Sequence, residues 1–219
     1  MQPEFKPFPK MPRLSRECII TEKIDGTNAS ILITEIAEER AGMIPVHKEV
    51  AIIGRLAIYV GSRTRWITPD DDNFGFAAWV FKNAEAIANL GVGHHFGEWW
   101  GSGIQRGYGL TNGEKRFSLF NVARWTLHGT EPQQIPTADP RIMKMQDVLP
   151  ACCGLVPVLY QGMFDTEIAE DMIWRLRVEG SKAAPGYKNP EGIVVFHVAG
   201  NFGFKKTIEK DEEPKGKNR

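Results

Sequence analysis

Apolar residues recur with a period of two near both ends of this chain and with a helical period between them. That distribution limits the folds open to it. Ala29, Ile31 and Ile33 alternate with Ser30, Leu32 and Thr34, the pattern of a half-buried strand. IITEKI and ASILITEI flank Asp25-Gly26-Thr27-Asn28, and Asp-Gly between such runs predicts a hairpin. AIIGRLAIYVGSR reads as one strand-like stretch ending at Gly61-Ser62-Arg63, and HHFGEWW and RFSLFNVARW read as strands. GIVVFHV and FGFKKTIE predict a closing hairpin joined by Ala199-Gly200-Asn201. Between them, Ala77, Val80, Phe81, Ala84, Ile87 and Ala88 share one face of a helix running from about Gly75 to Leu90. Asp70-Asp71-Asp72-Asn73 can cap it and Gly91 can stop it. Ile168, Met172, Ile173 and Leu176 mark a second helix, capped by Asp165 or Thr166 and stopping near Gly180. The first 18 or so residues read as an irregular arm, and about Thr130 to Pro140 as a loop. The sum is an α+β fold of mostly antiparallel sheets flanked by helices.

The chain has 219 residues, enough to bury a core without a disulfide or metal staple. One large domain is expected over two, at roughly 100–200 residues per domain. Its 27 basic and 27 acidic side chains give no net charge, which removes bulk charge as an argument for a nucleic-acid partner. Three cysteines, two of them the adjacent Cys152 and Cys153, make no disulfide framework and no zinc spacing. His94 and His95 alternate faces and argue against a metal pair. No apolar run approaches the roughly 20 residues of a membrane span, and MQPEFKPFPKMPRL lacks an apolar signal-peptide core. A reducing, cytoplasmic location away from membranes is expected.

The chemistry concentrates in Glu22-Lys23-Ile24-Asp25-Gly26-Thr27-Asn28. A lysine attacks only as the neutral amine, so a site that uses one must lower its pKa with nearby cations or desolvation. Alone, Lys-x-Asp-Gly reads as an exposed lysine beside a turn. Here other segments accompany it in order: Gly61-Ser62-Arg63, Phe96-Gly97-Glu98-Trp99-Trp100-Gly101, Phe117-Ser118-Leu119-Phe120-Asn121-Val122, Glu191-Gly192-Ile193-Val194-Val195 and Phe204-Lys205-Lys206. This ordered set resembles the motifs of the covalent nucleotidyltransferases, the polynucleotide ligases and RNA capping enzymes, over about residues 19 to 207.

The resemblance implies a nucleotidyltransferase (ATP-grasp-like) domain and residue roles within it. Lys23 is the nucleophile that attacks the α-phosphate of ATP. Lys205 is the lysine on that phosphate, with Lys206 also assigned to ATP. Adjacent strand lysines point to opposite faces, so one of the two is expected to line the site. Glu191 helps bind the catalytic Mg²⁺ (or Mn²⁺), with Asp25 as a second carboxylate near metal-bound ATP. Glu98 accepts from a ribose hydroxyl, Phe120 stacks on adenine, and Glu22 helps place adenine. Asn28 meets phosphate or the RNA end. Arg63 holds ribose or the RNA 5′-phosphate, with Arg65 as a near competitor.

Within that superfamily the details resemble RNA ligases. Asn28 completes Lys-Ile-Asp-Gly-Thr-Asn, the form similar to phage ligases of the double-strand-sealing type. The implied substrate is RNA with 5′-phosphate and 3′-hydroxyl ends. Residues 1–209 are expected to form the adenylyltransferase domain, and 210–219 a charged tail. The short remainder after Lys206 predicts a minimal domain, with a partner protein as one substitute for the C-terminal domain its relatives carry. Arg106, Lys115, Arg116 and Arg124, against Glu114 alone, read as a local basic stretch able to track phosphates. Sealing of DNA nicks, RNA capping with GTP, or a non-catalytic RNA-end-binding module are the alternatives.

Overall fold

A computed structural model describes residues 3–46, 48–127, 129–137 and 142–211. In chain order the strands are β1 (Glu17–Lys23), β2 (Thr27–Glu35), β3 (Glu49–Ile53), β4 (Leu56–Gly61) and β5 (Trp66–Ile67). They continue with β6 (Gly93–Gly101), β7 (Lys115–Leu119), β8 (Trp125–Thr126), β9 (Gln134–Pro136) and β10 (Met143–Met145). The last are β11 (Asp147–Val148), β12 (Gly154–Leu155), β13 (Val158–Met163), β14 (Gly192–His197) and β15 (Phe202–Thr207). The helices are α1 (Phe76–Lys82), α2 (Ala84–Ala88) and α3 (Thr166–Glu179). The mixture is α+β with mostly antiparallel pairing, as the periodicities predict. None of these helices is long and apolar enough to cross a membrane. The chain divides into two compact units, residues 1–23 with 157–219, and residues 24–156.

The first unit is a four-stranded sheet, β13-β1-β14-β15. Alternation puts Cys18 and Ile20 of β1 and Ile193 and Val195 of β14 on one face, where they pack against Ala169, Met172, Ile173 and Leu176 of α3. Burying Met172, Ile173 and Leu176 is worth roughly 1.5–3 kcal/mol each. The Asp165 side chain accepts from the Glu167 amide at 2.8 Å, capping α3. Gly180 ends it at φ 89°, a backbone that suits glycine. The C-terminal hairpin is β14–β15, turning through Ala199 to Asn201. The structure is described only to Asp211, so most of the expected 210–219 tail lies outside the described residues.

The second unit is built on a larger sheet of order β12-β7-β6-β2-β4-β3, with β5 on β4. Ile31, Ile33, Ile58, Val60, Trp99, Phe117 and Leu119 share its core with Phe76, Val80 and Ile87 of α1 and α2. The Asp72 carboxylate accepts from the amides of Ala77 and Ala78, each at 2.9 Å, and so caps α1 from the acidic run.

Five local expectations are revised. Asp25-Gly26 does not close a hairpin: β1 pairs with β13 and β14, and β2 with β4 and β6. Gly26 is needed there for space, because a Cβ on it would stand 2.5 Å from the Trp99 carbonyl oxygen and 2.8 Å from the Trp100 Cβ. AIIGRLAIYVGSR is two strands, β3 and β4, reversing at Gly54 with φ 56°. The helix from Gly75 breaks at Asn83, whose side chain donates to the Trp79 carbonyl at 2.8 Å. RFSLFNVARW is interrupted after Leu119 by a turn. The loop expected at Thr130 to Pro140 contributes β9 to a short pairing with β10, and residues 138–141 lie outside the described residues.

Candidate active site

In the first unit Lys23 ends β1 opposite Gly192 of β14. Glu191 immediately precedes that glycine, so antiparallel pairing brings the two side chains together. The Lys23 Nζ donates to the Glu191 Oε2 at 2.5 Å, and Glu191 is 4% exposed. Its backbone is fixed by the Ile208 amide, which donates to the Glu191 carbonyl at 2.9 Å. A Cβ on Gly192 would lie 2.2 Å from the Lys206 carbonyl oxygen. The glycine after the glutamate therefore lets β15 pass close enough to pair.

Register separates the two lysines of β15. Lys206 is opposite Ile193, whose side chain packs under α3. It lies on the helix side and meets Glu170 of α3 at 3.1 Å and Asp211 at 3.8 Å. Lys205 is opposite Val194. By alternation across β1, β14 and β15 it stands on the same sheet face as Lys23. It is exposed and makes no ion pair among the described residues.

Glu22 points the other way. At 1% exposure its carboxylate accepts from the Ser181 hydroxyl at 2.6 Å, the Lys182 amide at 2.7 Å and the Ala183 amide at 2.9 Å. Burial pushes its carboxyl above the ordinary range, and those donors and the Lys182 charge oppose the shift. It anchors the loop after α3 on the face opposite Lys23, an arrangement the sequence did not suggest.

In the second unit Glu98 of β6 is the register partner of Asn28. The Asn28 Nδ2 donates to Glu98 Oε2 and the Gly26 amide to Oε1, each at 3.1 Å. Both carboxylate oxygens therefore hold the Gly26-Thr27-Asn28 segment. The Asp25 amide donates to the Tyr108 hydroxyl at 3.0 Å, and the Asp25 Oδ2 accepts from Arg106 Nε at 3.1 Å. Arg106 and Tyr108 come from the loop after β6, where Gln105 and Tyr108 adopt φ 44° and 52°, a conformation non-glycine residues rarely take. Sequence reasoning counted Arg106 only as one cation in a run. The signal for the loop was its cluster of glycines at 101, 103, 107 and 109.

Arg63 sits in the turn between β4 and β5, exposed, with no ion pair among the described residues. Arg65 in the same turn is bound to Asp71 at 2.5 Å. Phe120 follows β7 and is 43% exposed. Its amide donates to the Phe96 carbonyl at 3.0 Å, while Phe117 and Leu119 are buried in the core. The expected basic stretch is largely neutralised: Arg106 meets Asp25, Arg116 meets Glu114 at 2.6 Å and Arg124 meets Asp147 at 2.9 Å.

Among the described residues no group of three or more His, Cys, Asp or Glu side chains stands ready to hold a metal ion. Single carboxylates such as Glu191 and Asp25 fit Mg²⁺, which is usually held by one or two carboxylates together with substrate phosphates.

A family model described as RNA ligase matches residues 16–210. Solved structures of Naegleria gruberi RNA ligase are similar. A mutant with ATP and Mn aligns with TM-score 0.50 at 18% identity, over 91% of this chain and 52% of that one. The same ligase with PPi aligns with TM-score 0.50 at 18% identity, over 88% of this chain and 50% of that one. This chain thus spans about half the length of the ligase it resembles, and at that identity the likeness speaks for the fold. No curated protein matches the sequence. The family match runs from the start of β1 to the end of the closing hairpin, through every motif named above, and the chain belongs to the RNA ligase family.

Proposed function

We propose that the chain is an ATP-dependent RNA ligase that joins 5′-phosphate and 3′-hydroxyl ends through a covalent lysyl-AMP. The observation that carries this reading is the Lys23–Glu191 contact at 2.5 Å, with Lys205 on the same sheet face. In the first step the Lys23 Nζ attacks the α-phosphorus of ATP, a P–N bond forms, and pyrophosphate leaves. The attacking amine must be neutral, and Glu191 is within hydrogen-bond reach to take its proton. Lys205 stands where a cation can meet the negative charge that builds on the α-phosphate oxygens. In the second step the 5′-phosphate of RNA attacks that phosphorus and the lysine amine leaves, giving an AMP-capped end. In the third, a 3′-hydroxyl attacks the capped 5′-phosphate and AMP departs. Glu191 in the first unit and Asp25 in the second are each a carboxylate proposed for a divalent cation bound with ATP, which would supply charge neutralisation at the phosphates.

Glu98 is assigned to the ribose and Phe120 to the adenine face, while Asn28 and Arg63 serve ATP or the RNA end. Asn28 and Glu98 already position each other. Residues 1–209 are proposed to act as one adenylyltransferase domain containing both compact units. A partner protein is the proposed source of any further RNA-holding surface.

The reading is tested with a panel of nicked RNA, RNA–DNA hybrids, single-stranded RNA and all-DNA nicks, each with ATP or GTP. Joining of RNA ends with ATP, lost in Lys23→Ala, is the expected result. Joining of all-DNA nicks alone, or adenylylation replaced by guanylylation, would overturn it.

A further inference from the structure

In the second unit, the sheet face turned away from α1 and α2 carries a row of aromatic rings that the ligation steps leave unused. Tyr59 lies opposite the core residues Ile58 and Val60 on β4, and Phe96 and His94 lie opposite His95 and Gly97 on β6. Trp66 of β5 joins them: its register partner is Gly61, and a Cβ there would stand 3.5 Å from the Trp66 ring. The indole therefore lies over Gly61, close enough that even a methyl there would touch it. The rings form a continuous series. Tyr59 and Trp66 are 6.0 Å apart, Trp66 and His94 are stacked at 6.0 Å and 24°, and His94 and Phe96 are 4.0 Å apart. They are also open to solvent: Trp66 is 37% and Phe96 54% exposed, and His94 is exposed.

Burying rings of this size is normally favourable, so a row left open on a sheet face marks a contact surface. Charge narrows the occupant. The β4–β5 turn that ends at Trp66 carries Arg63, with no ion pair among the described residues. The carboxylates nearest in sequence are mostly committed: Asp71 to Arg65, and Asp72 to the amides that begin α1. A free guanidinium beside a row of π-faces suits alternating phosphates and bases, and an apolar protein surface would leave that guanidinium without a counter-charge. Arg63 is also the residue assigned above to ATP or the RNA 5′-phosphate, so the row begins beside the proposed nucleotide contacts.

We propose that Trp66, His94 and Phe96 form a stacking platform for unpaired bases of the RNA strand, with Arg63 meeting its phosphate. This rests on the RNA-ligase reading. It goes beyond that reading by naming single-stranded nucleotides, whose base faces are free to stack, as the occupant. Bases within a duplex have those faces covered by their neighbours, so a duplex of the same length should bind this platform less well.

The test uses the whole chain and a fluorescently labelled, 5′-phosphorylated oligouridylate, with binding read by anisotropy and Lys23 adenylylation read in parallel. The double variant Trp66→Ala/His94→Ala is expected to weaken oligouridylate binding by about tenfold or more, from the usual worth of base–aromatic stacking. Its adenylylation should stay within about twofold of the parent. Trp66→Phe, which keeps a ring, should bind within about threefold of the parent. An abasic strand of equal length should bind the parent weakly and be indifferent to the double variant. The proposal is overturned if the double variant binds oligouridylate like the parent, or if the abasic strand binds as tightly as the oligouridylate. It is also overturned if the substitutions instead abolish self-association of the chain, which would make the row an interface between copies. A parent that adenylylates Lys23 yet shows no stacking loss removes the platform and leaves the ligase reading standing. A parent that neither adenylylates nor binds RNA removes both.

Discussion

The Lys23 amine and the Glu191 carboxylate, 168 positions apart in sequence, meet at 2.5 Å because β1 and β14 are antiparallel neighbours. The contact gives the proposed nucleophile a carboxylate partner before ATP arrives. Substituting Glu191 by Ala or Gln should lower the rate of Lys23 adenylylation by about 100-fold or more, the usual worth of a positioned acid–base group. Single-turnover labelling at saturating ATP measures it. A loss confined to the apparent ATP affinity, with the rate intact, would assign Glu191 to binding alone.

The two adjacent lysines of β15 are expected to behave very differently. Lys205→Ala should reduce adenylylation about 100-fold, as removal of a cation from a developing phosphate charge does. Lys206→Ala removes an exposed ion pair with Glu170 and should cost stability by less than about 1 kcal/mol. Labelling rates compared with urea-unfolding midpoints for both variants check this. Equal catalytic losses would contradict the face assignment.

Gly26→Ala should destabilise the second unit by about 2 kcal/mol or more. The added methyl meets the Trp99 carbonyl at 2.5 Å, and a crowded core position typically gives 1–3 kcal/mol. Chemical denaturation measures it. Labelling should fall as well, because the Gly26 amide is one of the donors that fix Glu98.

Glu22 predicts a pH dependence with a definite sign. Its carboxyl is held above the ordinary range in the folded chain, chiefly by burial, so folding favours the protonated form. That contribution is complete below the ordinary glutamate range and is lost as pH rises through the raised value. Glu22→Gln has no proton to lose. Its stability relative to the parent should therefore improve from mildly acidic to neutral pH, as measured by urea denaturation at each pH. Glu22→Ala has no carboxyl either and should show the same slope, but it strands the Lys182 and Ala183 amides and should cost about 3 kcal/mol at mildly acidic pH.

The sequence disclosed most where one residue's chemistry fixes its neighbours. Asp165 and Gly180 bracket α3 as read, and the Gly192–Thr207 hairpin follows from its alternation and its Ala-Gly-Asn turn. The Asp25-Gly26 turn misled because its glycine is required by a distant neighbour, the Trp99 carbonyl, rather than by local backbone geometry. Strand alternation foretold that Lys205 and Lys206 face opposite ways. Which one faces α3 depends on pairing with Ile193, information that lies across the sheet. The Asp25–Arg106 pair and the Glu22 anchor were hidden for the same reason: each joins residues far apart in sequence, 81 positions for the first pair and 159 for Glu22 and Ser181. The neutralised cations, Arg116 with Glu114 and Arg124 with Asp147, show that a run of charge in sequence says little about charge left free on the surface.

The most direct measurement of the central claim is covalent labelling of the purified chain with ATP carrying a labelled α-phosphate, in the presence of Mg²⁺. Peptide mapping then locates the adduct. The account predicts one AMP on Lys23, acid-labile as a phosphoramidate, absent from Lys23→Ala and discharged by pyrophosphate or by a 5′-phosphorylated RNA. Labelling that persists in Lys23→Ala, or that maps to another residue, would contradict it.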